Sequence, residues 1–222
     1  MLYNGHMPTR KTTKGARTRG DILRAAADIA SVYGLDGLSI GRLANELGMS
    51  KSGLFAHFGS KESLQLATIE EARHRYVKEV IEPALSAGAG IARLYALCQT
   101  FLSYIERAVF PGGCFFASAM AEFGARKPSL ARDRIVECQE QWMMMLERAA
   151  DGARAKGELR ADSESRQLAF ELEGALLSAN WYFHLFHDAT NIERARHTVR
   201  TRLSREATPA GLHLLPTGRQ GS

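Results

Sequence analysis

The chain has 222 residues, 45% hydrophobic and 24% charged, enough for one or two globular domains with a substantial core. That balance excludes a mainly disordered chain, and three cysteines are too few for a disulfide-built scaffold. The net charge of +5 is concentrated at one end: residues 1–62 hold nine Lys/Arg against five Asp/Glu, the remaining 160 hold 20 against 19.

Residues 1–16 read as a basic arm. Arg10, Lys11, Lys14, Arg17 and Arg19 precede the first acid, Asp21; charge alone favours a solvated tail over contact with a polyanion. No apolar stretch follows the basic start, so it does not read as a secretory signal. The longest apolar-or-small run, Cys114 to Ala121, is too short for a bilayer. Cys98, Cys114 and Cys138 are odd in number and lack metal-ligand spacing. The expectation is a cytoplasmic protein with reduced thiols and no membrane partner.

From Arg19 onward the periodicity is helical. Ile22, Ala26, Ile29, Ala30 and Tyr33 share one face, and Gly34 reads as the helix stop. After the Asp36-Gly37 turn, Ser39 is an N-cap for a short helix directing Ile40, Leu43, Ala44 and Leu47 inward. Gly48 ends it. Ser50 caps a third helix, Lys51 to about Phe58, with Leu54 and Phe58 inward, and Ser60 caps a long helix towards Glu82. Further helices are expected over about 91–109, 114–123, 128–156, 163–187 and 191–205, with a frayed tail over 208–222. The fold class is therefore all-α: an N-terminal three-helix domain over 17–62 and a larger helical body over 63–207.

Two short helices joined through Leu47-Gly48-Met49-Ser50 form a helix-turn-helix pattern. In that arrangement the first helix braces on the DNA backbone and the second enters the major groove. With Leu54 and Phe58 inward, Lys51, Ser52, Phe55 and Ala56 are left towards the groove. Ser60-Lys61 opens the next helix, where free N–H groups and a lysine suit a phosphate.

The stretch from Ile22 through Tyr33-Gly34-Leu35-Asp36-Gly37, Leu43-Ala44 and Gly48-Met49-Ser50-Lys51-Ser52-Gly53-Leu54-Phe55-Ala56-His57-Phe58-Gly59-Ser60-Lys61-Glu62 resembles the TetR family of bacterial transcriptional regulators. The resemblance covers about residues 17–65. It implies a homodimer with an all-α ligand-binding body, in most members a repressor released from a palindromic double-stranded DNA operator by a small molecule. Carried over by position, the DNA-contacting residues are Ser39, Arg42, Ser50, Lys51, Ser52, Gly53, Phe55, Ala56, His57 and Lys61. Phe55 departs from the tyrosine common there, so it has no hydroxyl for a phosphate. The segment Pro111-Gly112-Gly113-Cys114 with Ala121-Glu122-Phe123 is similar to one branch of the family.

In the body, aromatic and methionine residues mostly fill a core, and some face a pocket for an apolar or amphipathic ligand. Candidates are Phe116, Met120, Phe123, Trp142 and Met145, with Tyr104, Glu122, Asn180 and His184 as orienting groups. The face Leu172, Ala175, Leu176, Ala179 and Phe183 is the expected dimer contact, as the resemblance implies. Cys114, at a helix start, is either a thiol activated by the helix dipole in a redox- or electrophile-responsive regulator or a buried inert one. A helical ligand carrier is the other alternative. No catalytic motif, cofactor motif or zinc-type spacing appears, and His184, His187 and Asp188 read more simply as surface groups than as a metal site. The expectation is a regulator and not an enzyme, with no cofactor and no metal.

Overall fold

The structure, a computed structural model, describes residues 14–216. In chain order it comprises α1 (Lys14–Gly37), α2 (Ile40–Glu46), α3 (Lys51–Phe58), α4 (Lys61–Tyr76), α5 (Glu82–Leu85), α6 (Ile91–Glu106), α7 (Phe115–Phe123), α8 (Leu130–Ala155), α9 (Ser165–Phe186), α10 (Thr190–Glu206) and α11 (Pro209–Leu212). The fold is all-α. Among the described residues, β pairing is confined to an isolated bridge between Leu159 and Ala207. The expected arm lies outside the described residues except where α1 begins.

Serine caps set the helix starts. Ser39, Ser50, Ser60 and Ser129 each accept a hydrogen bond from the backbone N–H three residues on, at 3.0–3.2 Å. Each such cap stabilises its helix by about 1 kcal/mol. Between α4 and α5 the chain takes a π-helical turn over Val77–Ile81. Pro83 follows, and it has no N–H for the carbonyl four residues back, so the ladder is widened just ahead of it.

Two cores form. The smaller gathers Ile22, Leu23, Ala26 and Ile29 of α1 around Leu38, Leu43, Leu54, Phe58 and Leu64. Burial of each large apolar side chain there contributes about 1.5–3 kcal/mol, little for a domain of this size. The small domain therefore leans on helices that it shares. Ala27, Ala30 and Leu35 of α1 and Ile69, Ala72 and Tyr76 of α4 belong to the larger core, with most of α6 to α10. The expected boundary near residue 62 falls at the start of α4, which runs unbroken from one core to the other.

Four expectations are corrected. Tyr33 is exposed and not inward, because α1 kinks one residue later. Gly34 is a kink (φ 76°, ψ 165°) with a further helical turn beyond it, and not a stop. Residues 208–216 are not frayed: Thr208 caps α11 and bonds the Gly157 carbonyl at 2.6 Å, and Leu215 is buried. Residues 217–222 lie outside the described residues. Finally, Leu172, Leu176 and Ala179 are sealed in the chain's own core, with Ala175 and Phe183 half-buried. The free stripe of α9 is instead Phe170, Gly174, Ser178, Trp181 and Leu185. A helix apolar on two faces does not announce which face its own body takes.

Candidate nucleic-acid interface and ligand cavity

The α2–α3 corner is closed by two backbone bonds, Met49 N–H to Ala44 O at 2.9 Å and Gly48 N–H to Asn45 O at 3.3 Å. Gly48 turns it at φ 61°, a conformation that L side chains rarely adopt. Leu54 and Phe58 anchor α3 in the small core, leaving Lys51, Ser52, Phe55 and Ala56 exposed along one side. That side offers an ammonium, hydroxyls, an aromatic edge and a methyl, the mixture suited to phosphates and base edges in a groove.

The predicted contact residues differ in what remains free. Ser39 and Ser50 each use one oxygen lone pair as cap acceptor, and the Ser50 hydroxyl also lies 3.4 Å from that of Ser52. The Gly53 N–H is held by Ser50, and a Cβ there would lie 2.9 Å from that hydroxyl, so Gly53 closes the cap. Arg42 stacks its guanidinium 4.1 Å over the exposed Tyr33 ring. Through that contact α1 presets the arginine at the edge of α2. His57 is half-buried against Phe58. The half-exposed Lys61 ammonium bonds the Asp36 carbonyl at 2.9 Å and pairs with the Asp36 carboxylate at 3.6 Å. Lys51 makes no ion pair among the described residues.

In the body, a cavity of about 70 Å³ lies between α4, α6, α7, α8 and α9. Of the nine predicted ligand residues, Phe116, Met120, Trp142 and Met145 line it. Phe123 joins Met120 in a neighbouring cleft of about 290 Å³ between α7 and α8. Tyr104 packs against Tyr76 and Phe101, which line the cavity, but is itself absent from the wall. Asn180 and His184 are also absent. Asn180 accepts the Cys114 N–H at 2.8 Å, and His184 packs on Gly113, so both hold the loop before α7. Tyr76 and Glu173 are among the wall residues that are not in the predicted set. The signal for Glu173 was present, a lone acid among Ala169, Leu172, Leu176 and Leu177 at helical spacing.

Cys114 also borders the cavity, but burial pushes its thiol up to about 11. Backbone N–H groups of Phe116 and Ala117 pull the other way and do not offset that loss of hydration. Of the two readings of Cys114, the burial favours the inert thiol over the dipole-activated one. Among the described residues no group of three His, Cys, Asp or Glu is placed to hold a metal, and no helix is long and apolar enough to cross a membrane.

Glu122, expected in the pocket, faces the opposite way. From the end of α7 it accepts the N–H groups of Leu35 at 2.7 Å and Asp36 at 2.9 Å, just past the Gly34 kink. Arg126 bonds Asp36 and holds that carboxyl below its usual range, and it pairs with Glu122 at 3.4 Å. Gln65 of α4 closes the cluster by donating to Leu35 O at 3.0 Å. This latch joins the small domain to α7, whose Phe116 and Met120 form cavity wall.

Residues 22–68 match the family described as "Bacterial regulatory proteins, tetR family", and residues 90–199 match "Tetracyclin repressor-like, C-terminal domain". The HTH-type transcriptional repressor AcnR of Corynebacterium jeikeium is 32% identical over 82 residues, which is 37% of this chain and 41% of that protein. The chain thus spans about two fifths of the length of the curated relatives it matches. A TetR transcriptional regulator from Chloroflexus aurantiacus superposes with a TM-score of 0.81 at 25% identity, covering 87% of this chain and 98% of that one. AibR, solved in complex with isovaleryl coenzyme A and operator DNA, superposes with a TM-score of 0.65 at 21% identity, covering 82% and 97%.

Proposed function

Since the chain belongs to the TetR family of bacterial regulatory proteins, we propose that it is a dimeric transcriptional repressor released from a near-palindromic operator by a small molecule. The observation that carries this reading is the capped α2–α3 corner, which leaves one side of α3 exposed with an unpaired lysine at its start. The DNA-contacting set is Arg42, Lys51, Ser52, Phe55 and Ala56, with Ser39, Ser50 and His57 donating at the edge. Gly53 and Lys61 serve by fixing α3 and α4. The domain division is operational: the small core carries DNA contact and the body carries ligand and dimer contact.

Homodimerisation is supported by the unpartnered apolar ends of α9. Phe170, Trp181 and Leu185 are 67%, 50% and 68% exposed, and they flank the small Gly174 and Ser178. Two such helices meet closely about a two-fold axis, which sets two α3 helices on successive half-sites. Release follows from the latch. A ligand that displaces the Phe116–Met120 wall moves Glu122 and Arg126, and with them the attachment of the small domain.

A gel shift with DNA flanking the chain's own gene tests this reading. A discrete complex that resists random competitor DNA is expected. Trp181→Glu with Leu185→Glu is expected to give a monomer by light scattering and a loss of that complex of at least about tenfold, since each half-site then binds alone. A wild-type chain that shows no sequence preference, or a double variant that stays dimeric, would overturn it.

A further inference from the structure

Among the described residues Glu173 is the one carboxylate in the wall of the body cavity, and it is only 7% exposed. Its oxygens accept Trp142 Nε1–H at 2.7 Å and Gln139 Nε2–H at 3.1 Å, both neutral donors. No Lys, Arg or His pairs with it among the described residues. Burial raises its carboxyl above the usual range, with those two hydrogen bonds pulling it back. A buried carboxylate without a counter-ion costs several kcal/mol, roughly, unless a cation reaches it.

The one wall cation among the described residues is already committed. Arg73 donates to Glu70 at 3.1 Å, and Glu70 also takes Arg134, which holds Glu137 at 2.6 Å. Two arginines and two glutamates balance within that cluster, so an ionised Glu173 is the uncompensated charge. Around it stand Tyr76, Phe101, Phe116 and Trp142, with Tyr76 meeting the other three at 67–88°. Aromatic rings beside a carboxylate are the surroundings that favour an organic ammonium over a hydrated metal ion. Met120 and Gln139 are shared with the apolar cleft between α7 and α8, which gives an alkyl body somewhere to lie.

We propose that this cavity takes an amphipathic organic amine, its ammonium paired with Glu173 among the four rings and its apolar body running past Met120 into the α7–α8 cleft. The assignment rests on the reading of the cavity as the effector site, and it adds the charge of the effector. Binding would bring Glu173 its missing counter-ion and press on α7, the helix that ends in the Glu122 latch.

Calorimetric titration of the full chain with n-octylammonium, 1-octanol and octanoate tests the head-group preference at constant tail. The amine is expected to bind at least about tenfold tighter than the alcohol, with octanoate weakest. In Glu173→Gln, whose amide oxygen still accepts from Trp142, amine and alcohol become equal while the alcohol is unchanged. The wild-type series decides the question even if that variant does not fold. Alcohol binding as well as the amine, or octanoate binding best, overturns the charge assignment and leaves the cavity reading standing. Failure of all three to bind overturns both.

Discussion

Gly34→Ala is expected to destabilise the chain by about 3 kcal/mol and to lower operator affinity. Two effects add. The residue sits at φ 76°, ψ 165°, a region essentially confined to glycine, where a side chain costs about 1–3 kcal/mol. A Cβ would also lie 2.7 Å from the Glu122 carboxylate, forcing it off the Leu35 and Asp36 N–H groups at about 1–3 kcal/mol more. Glu122→Ala removes the acceptor without the backbone strain, so it should show only the second part. Chemical denaturation measures both. A Gly34→Ala variant within about 0.5 kcal/mol of wild type would mean that the latch contributes nothing. The affinity loss follows because α1 beyond the kink is where the body holds the small domain.

Lys51→Ala is expected to weaken operator binding by about 10²-fold at moderate salt, because a dimer loses two phosphate contacts at once. The slope of log affinity against log salt should fall by about 1.8, at 0.9 per phosphate. Lys51 lies at the exposed start of α3 and forms no part of either core. The melting temperature should therefore not move, which separates a binding effect from a folding one. Lys61→Ala is the contrast. Its ammonium is spent on Asp36, so its loss should appear in stability and less in the salt slope. An unchanged slope for Lys51→Ala would remove that residue from the phosphate contacts.

Local information in the sequence carried most of the architecture. Ser39, Ser50, Ser60 and Ser129 stand where a hydroxyl can reach the N–H three residues on, and Ile22, Ala26, Leu43, Leu54 and Phe58 keep the spacing that buries them. Ser129 caps a helix that starts at Leu130, two residues past the expected start at 128, which shows the limit of boundary reading. What local spacing does not hold is the partner of a long-range bond. Glu122 meets Leu35 across 87 positions and Asn180 meets Cys114 across 66, so two polar residues read as pocket groups prove to tie elements together. The Lys61 bond to Asp36 likewise spans 25 residues. The α9 faces failed differently. Both stripes of that helix are apolar, and only the packed body shows that Leu172 and Leu176 are inside while Trp181 and Leu185 are outside. Glu173 stands in the sequence as an acid on an apolar helix face, but aromatic content alone does not point to it.

Hydroxyl-radical footprinting of the full chain on its bound DNA tests the central claim most directly. The account predicts two inverted half-sites related by a two-fold axis, about one helical turn (34–36 Å) apart or somewhat more, with protection lost in Lys51→Ala at the same salt. A single protected patch, or protection without sequence preference that Lys51→Ala leaves intact, would contradict it.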